Sequence, residues 1–142
     1  SEIRKLLTEG DFKTAEIFLG RPFSISGKVA NGDKMGRTIG FPTANIGIKR
    51  KLSPVLGVYS VHVEHDSQTH IGVCNVGKRP TIGGTKTLLE VFIFDFDQEI
   101  YGDYVNVIFR QKCRDEKKFS SFDELKNQIQ KDVEKSRLFF TA

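Results

Sequence analysis

The sequence predicts a mainly β protein: a six-stranded antiparallel barrel of the Greek-key type, with a C-terminal helix packed on it and short N-terminal helices. Six short runs of β-type residues, separated by Gly, Pro, Asn and Asp, follow one another between Phe23 and Arg110. No helical pattern interrupts them, and such a series favours an antiparallel barrel. Apolar residues at helical spacing occur only before and after this region.

Two short helices are predicted before the first strand. Gly10 can end the first helix, and Asp11 can cap the second. Gly20 and Pro22 then end the helical region. The apolar residues assigned to buried faces are Ile3, Leu6 and Leu7 in the first helix and Phe12, Ala15 and Phe18 in the second.

The strand candidates are short and are bounded by residues typical of turns. A hairpin turn is predicted at Glu64–Gln68, and a loop at Asn75–Thr81. The candidates are Phe23–Ala30, Ala44–Ile48, Gly57–Glu64, His70–Val76, Thr87–Phe96 and Tyr104–Gln111.

A longer helix is predicted at the C-terminal end. Ser121 and Glu124 form a capping-box pattern at its start. Its apolar stripe, which we expect to pack on the barrel, consists of Phe122, Leu125, Ile129, Val133 and Phe140.

Composition indicates one cytoplasmic domain. The chain has 142 residues, of which 38% are hydrophobic, and this suffices for a single core. A net charge of +4 suits polyphosphate ligands and equally suits weak nucleic-acid binding. No apolar run approaches the ~20 residues of a membrane-spanning helix. Cys74 and Cys113 match no zinc spacing and, without a signal peptide, indicate reduced thiols.

The most informative segment begins at Gly32 and reads GDKMGRTIGFPTAN. Gly32 and Gly36 allow backbone N–H groups to turn toward an anion, and Arg37 adds a permanent positive charge. Thr43 and Asn45 offer neutral oxygens, which Mg²⁺ accepts beside phosphate oxygens. The segment therefore predicts a site for a polyphosphate and its metal ion, with an ordinary turn as the alternative.

This segment is not a P-loop, whose pattern is GxxxxGK[ST]. Its first two glycines are one residue too close, and Arg37 stands in place of the lysine. Gly40 and Pro42 are incompatible with the helix that must follow a P-loop.

The residues Pro42-Thr43-Ala44-Asn45 and the glycines before them resemble the signature of riboflavin kinases. Other segments match that family in the same order, and several ordered motifs are more specific than one. These segments are Asn75-Val76-Gly77, Arg79-Pro80-Thr81, Leu89-Glu90-Val91, Asp95-Phe96-Asp97, Tyr101-Gly102 and Arg114-Asp115-Glu116-Lys117-Lys118-Phe119. The resemblance extends over about residues 20–137.

The chain most resembles the kinase module of bifunctional bacterial FAD synthetases. The resemblance implies that residues 21–142 are a riboflavin kinase domain and that residues 1–20 are a helical remnant of its junction with a missing adenylyltransferase domain. Ser1-Glu2-Ile3-Arg4 is similar to the end of that junction. We therefore expect that the chain is a fragment of a bacterial protein. In this parent protein the kinase domain would be covalently joined to an adenylyltransferase domain, and the parent would also make FAD.

Glu90 stands in a strand candidate that is apolar on both faces. An unpaired buried carboxylate costs several kcal/mol, so Glu90 needs a cationic partner, a place at the barrel mouth, or a retained proton. Sequence reasoning leaves a structural ion pair and a catalytic role open. The family resemblance implies the catalytic role, in which Glu90 is the general base for a hydroxyl group.

The resemblance also implies residues that bind the flavin: Asn75, Arg79, Arg114 and Phe119. Arg114 would belong to a mobile flap beside the flavin. We expect the ring to lie in an apolar slot at the barrel mouth.

The predicted reaction converts riboflavin and ATP to FMN and ADP. Mg²⁺, with Zn²⁺ or Mn²⁺ as alternatives, would be held by Thr43 and Asn45, and the 32–37 loop would bind the ATP phosphates. A flavin-binding barrel without kinase activity is the main alternative. A single-stranded nucleic-acid binder is disfavoured because basic and aromatic residues do not interleave on one strand face.

Other polar groups have simpler interpretations. His62, His65 and His70 flank the predicted hairpin turn on different faces, which favours solvated histidines over a shared metal site. Asp95 and Asp97 indicate a turn, because no second acidic cluster supports a hydrolase site with paired carboxylates.

Overall fold

The computed structural model describes residues 1–30, 43–48 and 53–142. The helices of this part are α1 (Glu2–Glu9), α2 (Phe12–Leu19) and α3 (Phe122–Thr141). The strands are β1 (Ser24–Ala30), β2 (Ala44–Ile48), β3 (Gly57–His65), β4 (Gln68–Thr81), β5 (Gly84–Ile93) and β6 (Tyr104–Arg114). They form a closed antiparallel barrel in the order β1-β2-β5-β4-β3-β6, which confirms the predicted fold class.

The connections have the predicted Greek-key form. Strands β3, β4 and β5 are consecutive hairpin partners, and β6 returns to lie beside β3. At the β3–β4 turn, Asp66 and Ser67 have φ values of 50° and 64°, as a tight two-residue hairpin turn requires. No helix in the described residues could span a membrane.

The β4–β5 hairpin is longer than predicted. Residues Asn75–Thr81 continue β4 instead of forming a loop, because the ladder with β5 extends to the pair of Thr81 and Gly84. Pro80 is accommodated near the hairpin tip, where few ladder bonds follow it. At its other end β5 stops at Ile93 rather than at Phe96.

A turn ends β5 early. Asp95 has a φ of 53°, which is incompatible with an extended strand. The prediction that Asp95 marks a turn is therefore correct. Its carboxylate is bound by Arg137 of α3, with Nη1 and Oδ2 3.2 Å apart.

The main core fills the barrel, and α1 and α2 contribute to it. Leu6, Leu7, Phe12 and Ala15 belong to the same buried cluster as the interior residues of the strands. Phe18 is instead 57% exposed, contrary to the prediction. An α-helix has about 3.6 residues per turn, so a residue six positions after Phe12 lies on a different side.

The third helix packs on the outside of the barrel. Val133 is buried in a second cluster with Val58, Val73 and Phe94. The predicted N-cap is confirmed, because Glu124 N donates to Ser121 Oγ at 3.2 Å. The predicted apolar stripe begins later than expected: Phe122 is 56% exposed, since the helix first meets the second cluster at Ile129.

Both cysteines are free thiols, as predicted. Cys74 is buried within the main core, and burial raises the pKa of its thiol. Cys113 is half-buried near α3, where its sulfur lies 3.3 Å from Ser60 Oγ. Both side chains therefore contribute to packing.

Candidate active site

Glu90 lies in a row of polar residues that crosses three neighbouring strands. Glu90 of β5 is directly opposite Asn45 of β2 and directly opposite Asn75 of β4. Residues opposite one another in an antiparallel sheet project from the same face. The row therefore brings together the predicted metal ligand, the predicted base and one predicted flavin contact.

This row faces away from the main core. Leu89 and Val91, which flank Glu90 in β5, are fully buried inside the barrel. Because side chains alternate along a strand, Glu90 projects outward. The next residue of the row beyond Asn75 is Val58 of β3, which belongs to the second cluster, beneath α3.

The partner of the Glu90 carboxylate is Arg79, further along β4. Arg79 Nη2 donates to Glu90 Oε1 at 3.1 Å. Of the three solutions considered from the sequence, a cationic partner is the one observed. The guanidinium compensates the charge of the carboxylate, and a carboxylate oxygen can accept a proton from a hydroxyl group.

The same guanidinium binds a second carboxylate. Arg79 Nη1 donates to Oε2 of Glu116, in the segment after β6, at 3.1 Å. Asn75 Nδ2 donates to the same oxygen at 3.2 Å. Sequence reasoning gave Glu116 no role, and only its place in the motif that begins at Arg114 pointed to it.

Arg79 is firmly cationic. Burial lowers the pKa of its guanidinium, but the hydrogen bond and charge of Glu116, followed by those of Glu90, outweigh burial and raise that pKa. Arg79 is therefore positively charged at neutral pH.

Arg114 ends β6 and is tied to α3. Its Nε and Nη2 donate to the two carboxylate oxygens of Asp132, at 2.9 and 2.8 Å. The guanidinium carbon of Arg114 lies 5.9 Å from the centre of the Phe119 ring. The predicted flavin residues Arg114 and Phe119 are thus neighbours, and Arg114 lies opposite Val58 at the far end of the row.

The predicted metal ligands are placed at the start of β2. Asn45 is 4% exposed, and Thr43 is half-buried just before the strand. In the described part of the chain no group of three or more His, Cys, Asp or Glu could hold a metal ion. A hydroxyl and an amide fit Mg²⁺ that is coordinated largely by phosphate oxygens.

Three predicted phosphate-binding residues, Gly32, Gly36 and Arg37, lie outside the described residues. Their assignment remains a prediction.

His62 and His65 have different polar partners. His65 is only 8% exposed, contrary to the prediction, and its Nε2 lies 2.9 Å from Asp103 Oδ2. His62 Nδ1 accepts a hydrogen bond from Arg110 Nε at 2.9 Å. Burial and the charge of Arg110 lower the pKa of His62.

The similarity to known proteins extends over the entire barrel. A family model described as "Flavokinase: Riboflavin kinase" matches residues 19–140. The chain belongs to the riboflavin kinase family. Riboflavin kinases use ATP as a co-substrate, generally with a divalent metal ion.

Two curated relatives are bacterial bifunctional proteins. "Bifunctional riboflavin kinase/FMN adenylyltransferase" of Haemophilus influenzae is 53% identical over 99% of this chain and 46% of its own length. The Escherichia coli K12 protein of the same name is 46% identical over 97% of this chain and 44% of its own length. The chain therefore spans less than half the length of these relatives and corresponds to their riboflavin kinase domain.

Solved structures share the riboflavin kinase barrel. A Streptococcus pneumoniae structure described as a macrolide-efflux protein has a TM-score of 0.86 and 41% identity, and the match covers 96% of this chain and 45% of that one. Riboflavin kinase from Trypanosoma brucei has a TM-score of 0.59 and 24% identity, with 84% and 80% of the two chains covered. The similarity to the Trypanosoma brucei protein shows that the two chains share a fold.

Proposed function

We propose that this domain transfers the γ-phosphate of ATP to the ribityl 5′-hydroxyl of riboflavin, giving FMN and ADP. The observation that carries the proposal is the row formed by Asn45, Glu90 and Asn75 on adjacent strands. It places a carboxylate between a predicted phosphate-binding residue and a predicted flavin-binding residue. Phosphoryl transfer depends mainly on such positioning and on charge neutralisation.

Glu90 is the proposed general base. A primary alcohol is a weak nucleophile until its proton can leave, so an acceptor must lie beside the 5′-hydroxyl. The Glu90 side chain is 23% exposed, which leaves part of the carboxylate accessible beside its contact with Arg79.

The phosphate side of the site is proposed to lie at the start of β2. Thr43 Oγ1 and Asn45 Oδ1 would hold Mg²⁺ together with oxygens of ATP, and bound Mg²⁺ would neutralise phosphate charge. Gly32, Gly36 and Arg37 would bind the ATP phosphates. Support for this assignment comes from the adjacency of Asn45 and Glu90.

The flavin side is proposed to extend from Asn75 toward Arg114 and Phe119. Asn75 Oδ1 is a buried acceptor with no hydrogen-bond partner among the described residues. It is therefore available to a donor group of the flavin. The half-buried Phe119 ring offers an apolar surface at the other end of this region.

The parent protein is proposed to have a second activity. Because curated relatives are about twice as long and are named for both reactions, we infer that an adenylyltransferase domain accompanies this domain and converts FMN to FAD. Residues 1–20 would then belong to the junction between the two domains.

Incubation with riboflavin, ATP and Mg²⁺, followed by chromatographic separation of flavins, tests the proposal. We expect FMN to accumulate without FAD, and we expect no FMN when ATP or the metal is omitted. Riboflavin binding without phosphorylation under any metal condition would instead support the alternative of a flavin-binding barrel. Abundant FAD would contradict the domain assignment.

A further inference from the structure

Arg79 connects two carboxylates that are distant in the sequence. Its Nη2 is bound to Glu90 on β5, and its Nη1 is bound to Glu116 in the segment after β6, both at 3.1 Å. Arg79 Nη1 also donates to the backbone oxygen of Lys78 at 3.0 Å. Both terminal nitrogens of the guanidinium are therefore engaged by the protein itself.

A glycine on β4, Gly77, leaves the space that this arrangement needs. Asn75, Gly77 and Arg79 are spaced two residues apart on β4, so they lie on the same face of the strand. Glu90 lies opposite Asn75. The Arg79 side chain must therefore run back along β4 to reach Glu90. A Cβ atom at Gly77 would overlap Glu116 Oε2 and would lie 2.5 Å from Arg79 Nη1, so a side chain there would displace the contact.

The contacts constrain geometry more than they stabilise the fold. The side chains of Arg79 and Glu116 are 34% and 37% exposed, so solvent screens their charges and the pairs add little stability. A guanidinium nevertheless presents its donors in a rigid planar fork. When both sides of the fork are occupied, the direction of the bond to Glu90 is defined.

We propose that Arg79 is a positioning residue that orients the Glu90 carboxylate for proton acceptance, and that Glu116 holds Arg79 in place. This inference rests on the proposed kinase function and differs from the predicted role of Arg79 as a flavin contact. It also links the segment that begins at Arg114 to Glu90 through one guanidinium.

Substitution of Arg79 separates these roles. Misplacement of a reacting group by about 1 Å can cost about 10²-fold in rate, so Arg79→Met should lower kcat by about that factor. The dissociation constant for riboflavin, measured by flavin fluorescence, should change little. Arg79→Lys retains one charge but not the fork, so its kcat should lie between those of the wild type and Arg79→Met.

A double-mutant cycle with Glu90→Gln supplies the decisive measurement. If Arg79 acts through Glu90, Arg79→Met should cost far less in the Glu90→Gln background than in the wild type. Glu116→Ala should also lower kcat, and its effect should be small once Arg79 has been replaced. Thermal unfolding of each variant establishes that the protein remains folded.

Lys86 provides a matched control. It is the residue opposite Arg79 on β5 and is exposed, so Lys86→Met removes a cation from the same region and should leave kcat unchanged. Equal losses from Arg79→Met in both backgrounds would overturn the inference, as would a wild-type kcat or a change confined to riboflavin binding. Absence of FMN formation by the wild type would refute the kinase function itself, and the inference with it.

Discussion

At the scale of single residues, Glu90 shows how an otherwise apolar strand accommodates a carboxylate. Its neighbours Leu89 and Val91 enter the barrel, whereas Glu90 points outward to Arg79. The charge is thus compensated without being enclosed in the main core. A carboxylate that is paired and still partly exposed can exchange a proton with a substrate.

Glu90→Gln should lower kcat by ~10²- to 10⁴-fold, the usual contribution of a general base. Substrate binding should change little, and the fold should persist because Arg79 retains its pair with Glu116. Steady-state kinetics, flavin fluorescence and thermal unfolding measure the three quantities.

Glu134→Gln is the matched control, since Glu134 is exposed on α3. It should have wild-type kinetics. Turnover of Glu90→Gln close to that of the wild type would eliminate Glu90 as the base, and failure to fold would favour a structural ion pair.

Thr43→Ala and Asn45→Ala should each raise the Mg²⁺ concentration needed for half-maximal FMN formation. Their effects should be non-additive if both residues serve one ion. Asn45 is buried, so its replacement should also lower the free energy of unfolding, by about 1 to 3 kcal/mol. Additive effects with an unchanged Mg²⁺ dependence would contradict the assignment of Thr43 and Asn45 as metal ligands. They would then have a role only in the backbone conformation near β2.

At the scale of elements, an ion pair joins β6 to α3. Arg114 holds Asp132 through two hydrogen bonds, and Gln128 donates to the same carboxylate at 3.0 Å. The side chains of Arg114 and Asp132 are only 19% and 7% exposed. The pair therefore anchors the end of β6 to α3, just before the segment that carries Glu116.

Asp132→Asn should destabilise the protein by about 3 kcal/mol, because it leaves the Arg114 charge poorly compensated at a largely buried position. Asp95→Asn is the matched control: the pair of Asp95 with Arg137 is 80% and 44% exposed and should contribute less than about 1 kcal/mol. Denaturant unfolding measures both. Similar small losses in the two variants would show that the Asp132 pair adds little to stability.

At the scale of the whole molecule, the N-terminal helices complete the core of the barrel. The ring of Phe12 lies 5.7 Å from that of Tyr59 and 5.8 Å from that of Phe109, measured between ring centres. Residues 1–20 thus contribute to the stability of the domain, whatever precedes them in a longer protein.

Phe12→Ala should lower the free energy of unfolding by about 3 to 5 kcal/mol, the range for removing a large buried aromatic side chain. Phe18→Ala, in the same helix but exposed, should change it by no more than about 0.5 kcal/mol. Denaturant unfolding with an unchanged m-value checks both. Equal effects would mean that α2 does not close the core.

Much of the fold was predictable because its signals are local. Capping by Asp11 and Ser121 and the β-type runs depend on neighbouring residues, and the structure has these elements. The incorrect predictions of secondary structure concern segments whose conformation is decided by tertiary contacts rather than by local sequence. Pairing with β5 keeps Asn75–Thr81 extended despite Pro80, a contact that no local pattern reveals.

The sequence by itself determined the fold class, the family and the candidate residues, because strand patterns, caps and ordered motifs are properties of the chain. Only the tertiary structure decided that Glu90 faces outward between Asn45 and Asn75, and that Arg79 joins it to Glu116. These contacts depend on strand register and on the path of the chain after β6. Both follow from packing the whole barrel, which brings together residues that are distant in the sequence.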